Sequence, residues 1–114
     1  MPPPLPIHYP SSIVPTISGR ITTVSVLQTS IVITNKVGLH ARPARLLVQT
    51  AAQFQARVQV QHGEKTANAK SILGVLKLGA VRGDTLILQA EGDDAEKALN
   101  ALIELVQRKF DEEE

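Results

Sequence analysis

The sequence predicts an α+β domain in the order β-α-β-β-α-β-α, an antiparallel four-stranded sheet with three helices on one of its faces. Three observations predict it. Short runs that alternate apolar and polar residues (31–34, 57–61, 65–69 and 84–91) are interleaved with runs whose apolar residues recur at spacings of three and four (44–54 and 95–110). The turn His62-Gly63 joins two alternating runs directly, which calls for an antiparallel pair. Each helical run has a single apolar stripe, so each must bury that stripe on a sheet. Periodicity by itself admits a ferredoxin-like module equally well.

A chain of 114 residues, 43% of them hydrophobic, suffices for one such domain and its core. Aromatic residues make up 3%, too few for the stacking platforms that bind single-stranded nucleic acid, and a formal charge of +1 argues against a general nucleic-acid binder. The charge is unevenly spread. Residues 29–110 carry eleven Lys and Arg against seven Asp and Glu, a mildly basic balance that suits an acidic protein partner and is equally that of a mixed solvated surface. Without cysteine there are no disulfides or thiolate metal sites, and no His and carboxylate pair has ligand spacing, so neither metal nor cofactor is expected. No apolar run nears the roughly 20 residues of a membrane span, and the N-terminus lacks the charged start and apolar centre of a secretory signal. The expectation is a cytoplasmic monomer with no direct membrane or nucleic-acid contact.

Taken in order, residues 1–28 hold six of the seven prolines and read as a disordered extension ahead of a domain at 29–110, with residues 111–114 as an acidic tail. Ile31 to Thr34 gives the first strand, with Ile31 and Ile33 on one face. The first helix runs from Ala41 to about Phe54, because Ala44, Leu47, Val48, Ala51 and Phe54 form a stripe and Pro43 suits a first turn, where a missing N–H has no intrahelical partner. Arg57 to Gln61 and Lys65 to Ala69 form a hairpin, with His62 as an exposed turn residue. Ser71 then caps a short helix carrying Ile72, Leu73, Val75, Leu76 and Leu78, which Gly79 can end. So short a helix cannot bury all five, and an exposed apolar patch follows. Asp84 to Glu91 is the fourth strand, with Leu86, Leu88 and Ala90 inward. Asp93 and Glu96 offer a capping box to a last helix with the stripe Ala95, Ala98, Leu99, Leu102, Leu105, Val106 and Phe110.

The stretch that asks for chemistry as well as packing is Gly38-Leu39-His40-Ala41-Arg42-Pro43-Ala44. His40 falls at a helix N-cap, and Gly38 lets the chain turn sharply into that helix. The N–H groups of Ala41 and Arg42, the positive end of the helix dipole and the Arg42 guanidinium can converge on an anion attached to the His40 ring. A neutral imidazole is a competent nucleophile towards phosphorus near neutral pH. A helix end stabilises an anion by about 0.3–1 kcal/mol when exposed and about 2 kcal/mol when partly buried, which holds a phosphoryl group without trapping it. A lone histidine is ordinarily a surface or satisfied core residue; the shared helix start, Gly38 and Arg42 set this one apart.

This heptapeptide resembles the active-site motif of the histidine-containing phosphocarrier proteins (HPr) of the bacterial phosphoenolpyruvate-dependent sugar phosphotransferase system, and the similarity runs from about Thr29 to Phe110. The resemblance implies an open-faced β-sandwich and a carrier, not a complete enzyme. It implies a phosphoryl group taken from enzyme I onto Nδ1 of His40, with Ala41 and Arg42 binding the phosphate, and delivered to enzyme IIA domains. Lys70-Ser71-Ile72-Leu73-Gly74-Val75 is similar to the segment that an ATP-dependent kinase phosphorylates in HPr proteins. That likeness implies regulation at Ser71, with HPr kinase/phosphorylase and a transcriptional regulator as further partners, and the exposed apolar patch expected on the same helix makes Ile72, Leu73 and Leu76 the candidate interface. Val37 departs from the pattern, since relatives commonly carry a small polar residue there. The alternative is a regulatory interaction module, or a nitrogen-related phosphocarrier, that controls transcription or metabolism through the Ser71 helix.

Overall fold

The computed structural model describes residues 16–17, 20–21 and 26–111. Two short strands, β1 (Thr16–Ile17) and β2 (Arg20–Ile21), pair with each other. Then come β3 (Val26–Val32), α1 (Ala41–Ala52), β4 (Arg57–His62), β5 (Lys65–Asn68), α2 (Ile72–Lys77), β6 (Thr85–Glu91) and α3 (Ala95–Gln107). The second sheet has the order β3-β6-β4-β5 with every neighbouring pair antiparallel. Its inward set, Leu27, Thr29 and Ile31 with Val58, Val60, Leu86, Leu88 and Ala90, is buried beneath Leu47, Ala51, Leu99, Leu102 and Val106 of α1 and α3. The expected α+β open-faced sandwich is the architecture found. Among the described residues no helix is long and apolar enough to cross a membrane.

β3 begins at Val26, five residues before Ile31, and so takes in residues 26–28 of the stretch read as an extension. Gln28-Thr29-Ser30 hides this start, because Thr29 faces inward among apolar neighbours and is 1% exposed, which breaks the apolar alternation. Most of the proline-rich stretch, and residues 112–114 of the acidic tail, lie outside the described residues.

α1 stops at Ala52, short of Phe54, because the next residues are held from outside. The Asp94 carboxylate accepts from the Gln55 and Ala56 N–H groups, both at 2.8 Å, and Lys70 Nζ donates to the Phe54 carbonyl at 2.6 Å. The same carboxylate explains why the Asp93–Glu96 capping box is not the start of α3. The N-cap is Asp94, whose side chain makes no bond to its own helix. The expected α3 stripe is buried throughout, and Ile103 joins it. Beyond α3, Lys109, Phe110 and Asp111 all take positive φ, which costs about 1–2 kcal/mol per L-residue. Complete burial of the Phe110 ring, worth about 1.5–3 kcal/mol, offsets part of that.

The Asp94 carboxyl is held below the usual carboxylate range, first by the Gln55 N–H, against an opposing desolvation, and then by the Ala56 N–H, its own backbone and the Lys70 ammonium. A carboxyl lowered in the folded state stabilises above its unfolded value and loses that contribution as the pH falls through the folded one. Asp94→Asn is therefore expected to lower the urea midpoint at pH 7 and to leave it nearly unchanged at pH 2. Equal losses at both values would show that the carboxylate charge is not what Asp94 contributes.

Candidate functional site

Between β3 and α1 the chain folds back on itself. Asn35, fully buried, donates from Nδ2 to the Gly38 carbonyl at 2.8 Å, and the Gly38 N–H reaches the Asn35 carbonyl at 3.3 Å. Gly38 has φ +63°, and a Cβ there would lie 2.6 Å from the Ala80 carbonyl oxygen and 2.7 Å from Val81 Cα, so only glycine fits. The next residue is pinned as well. Leu39 donates its N–H to the Ala80 carbonyl at 3.0 Å and buries its side chain.

With Gly38 and Leu39 fixed inward, His40 is left outside. It is exposed and forms the N-cap of α1 with an extended backbone (φ −73°, ψ −177°), and its ring makes no capping bond. Its carbonyl accepts the first intrahelical bond, from the Ala44 N–H at 2.8 Å. The N–H groups of Ala41 and Arg42 precede that bond and have no acceptor within the helix, and Pro43 has no N–H to satisfy. The first turn of α1 holds no acid, and between Asn35 and Gly83 the one acidic residue is Glu64. Free donors, a helix dipole and a local excess of Lys and Arg therefore favour an anion at the ring.

α2 begins as expected, with Ser71 Oγ accepting from the Gly74 N–H at 3.1 Å. It ends at Lys77 with Leu78 as its C-cap, and the left-handed Gly79 (φ +63°), expected as the cap, comes one residue later. Val75 and Leu78 enter the core, and Ile72, Leu73 and Leu76 remain exposed. Leu76 shares a shallow cleft of about 440 Å³ with His40, Ala41, Val37, Ala80 and Val81. Ser71 lies in a different depression, with Lys65, Asn68 and Lys77. The structure thus gathers His40, Ala41 and Leu76 at one place, leaves Arg42 exposed on the first turn, and puts Ser71 at another. Val37 and Val81, both exposed, widen the apolar surface beyond the three residues named from sequence.

His62 is a correction. It is the last residue of β4 and half-buried, not an exposed turn residue: its Nδ1 lies 2.8 Å from the Leu78 carbonyl and its Nε2 2.9 Å from Asp84 Oδ2. Asn35 was missed altogether, although an Asn three residues ahead of a Gly is a turn signal.

A four-stranded antiparallel sheet, helices on one of its faces and an exposed histidine at the N-cap position of the first helix define an open-faced sandwich of the HPr type. The family model described as PTS HPr component phosphorylation site matches residues 27–108. The phosphocarrier protein NPr of Shewanella violacea is 45% identical over 86 residues, 75% of this chain and 94% of that protein. The phosphocarrier protein HPr of Xylella fastidiosa is 39% identical over 87 residues, 76% of this chain and 98% of that protein. The crystal structure of HPr-C-His from Thermoanaerobacter tengcongensis superposes with a TM-score of 0.74 at 49% identity, covering 76% of this chain and 98% of that one. The chain belongs to the HPr family of phosphocarriers of the phosphotransferase system.

Gly38→Ala should push the loop off Ala80 and destabilise the fold by at least about 1–2 kcal/mol, the cost of a left-handed L-residue before any clash is counted. Chemical denaturation measures this. A loss under 0.5 kcal/mol, roughly the scatter of neutral surface changes, would mean that the loop does not need its close approach.

Proposed function

We propose that His40 accepts a phosphoryl group from enzyme I and passes it to enzyme IIA domains of the sugar phosphotransferase system. The observation that carries this reading is the exposed ring at the start of α1 beside two amides without intrahelical acceptors. A lone pair on Nδ1 attacks phosphorus as the bond between phosphorus and the donor breaks, and the reverse step delivers the group onward. The amides of Ala41 and Arg42 and the Arg42 guanidinium bind the phosphoryl oxygens in passing. Interactions of this kind are worth up to about 2 kcal/mol at a helix end, a little more than the 1.4 kcal/mol that makes a tenfold change in an equilibrium, so the group stays transferable. The apolar surface of Leu76, Val37 and Val81, in a segment rich in Lys and Arg, supports docking to an acidic partner surface.

Incubation with enzyme I and labelled phosphoenolpyruvate should give an acid-labile label that His40→Ala abolishes. An acid-labile label that survives in His40→Ala would place the acceptor elsewhere.

A second reading concerns Ser71. It caps α2 beside exposed Ile72 and Leu73. A phosphate there adds about −1.5 to −2 charges next to a docking surface and opposes acidic partners by repulsion and desolvation. With an HPr kinase/phosphorylase and ATP the label should be acid-stable and absent from Ser71→Ala. A Ser71-phosphorylated protein that takes phosphoryl groups from enzyme I at the unmodified rate would end the regulatory reading.

A further inference from the structure

His62 stands twenty-two residues beyond His40 and lines no part of its cleft, yet its two ring nitrogens reach both ends of the loop 79–84. Nδ1 donates to the carbonyl of Leu78, the C-cap of α2, at 2.8 Å. Nε2 lies 2.9 Å from Oδ2 of Asp84, the residue before β6. A ring with a proton on each nitrogen satisfies both contacts together. The same Asp84 oxygen accepts the Val81 N–H at 2.9 Å, and the Asp84 N–H returns to the Val81 carbonyl at 3.0 Å. Within this loop are Ala80 and Val81, against which Gly38 rests, and the Ala80 carbonyl accepts the Leu39 N–H. A continuous path of polar contacts therefore runs from the His62 ring through the Asp84 carboxylate and the Val81 amide to the Ala80 carbonyl and the Leu39 amide, and Leu39 is the residue that precedes His40 in the chain.

We propose that His62 is a positioning residue for phosphoryl transfer at His40: by tying Leu78 to Asp84 it fixes the Ala80–Val81 ledge that sets the direction of the histidine and of the first-turn amides. The inference rests on the reading of His40 as acceptor. Its physical basis is the steep dependence of transfer on geometry, where a misplacement of about 1 Å can cost on the order of a hundredfold in rate. His62 makes no contact with the phosphoryl group and acts only through the loop.

Native-state amide exchange and enzyme I kinetics on His62→Ala, His62→Asn and Asp84→Asn test this. In His62→Ala the Leu39 amide should exchange about tenfold faster relative to Leu88 in the middle of the sheet, as expected when a hydrogen bond to a charged group is lost. The turnover of phosphoryl transfer should fall several-fold at unchanged KM. His62→Asn, which keeps a donor near the Nδ1 position, should restore part of both. Asp84→Asn, which keeps an acceptor for the Val81 N–H, should show a smaller shift in the same direction and serves if His62→Ala does not fold. Equal acceleration of Leu39 and Leu88, an unchanged Leu39, or faster Leu39 exchange with unaltered turnover would each overturn the proposal. If the unsubstituted protein takes no label at all, the acceptor reading fails, and the exchange data still report whether the tether holds Leu39.

Discussion

Backbone rests on backbone where Gly38 meets Ala80 and Val81, and that contact decides where the histidine stands. With a Cβ at 2.6 Å from a carbonyl oxygen, no other residue could bring the loop after β3 against the loop before β6. Two neighbouring bonds, Leu39 N–H to the Ala80 carbonyl and Asn35 Nδ2 to the Gly38 carbonyl, hold the approach. Because Leu39 is buried and α1 begins at Ala41, residue 40 is the corner between a packed loop and a packed helix. Its ring is left exposed because Leu39 before it is committed to the core and the backbone after it to α1.

The chemistry of that corner depends on restraint. A deep anion site with several charged ligands would bind a phosphoryl group too well for a carrier, and a bare surface histidine would give it no support. With His40 as the proposed acceptor, two amides at the start of α1 and one exposed arginine would lie between these limits. Val37 lines the cleft beside His40 and presents an apolar side chain to it.

How much of this was legible in the sequence follows from the range over which each feature is determined. The histidine at a helix start, the proline behind it, the Ser71 cap and the α3 stripe were all readable, because each depends on residues within a turn or two of one another. Four features were not. Thr29 looks polar but faces the core, so β3 starts earlier than alternation suggests. Asp94 looks like part of a local cap but binds amides thirty-eight and thirty-nine residues away. His62 looks like a turn residue until Leu78 and Asp84 are brought to it. Buried Asn35 is a turn-favouring residue whose partner is visible only once the loop closes. In each case the deciding partner is set by the tertiary fold or by the shape of a loop, neither of which periodicity encodes.

The division of α2 between two depressions has a consequence for how the molecule can be controlled. Leu76 and the following Gly79 line the cleft of His40, while Ser71, Gly74 and Lys77 line the other depression. A charge introduced at Ser71 would therefore fall in a different depression from the imidazole, where a protein docked on α2 would meet it. At about 0.15 M salt, where the screening length is roughly 8 Å, exposed charges act mainly on what touches them. Control from Ser71 would then act through who docks, leaving the reactivity of His40 as the corner of α1 sets it.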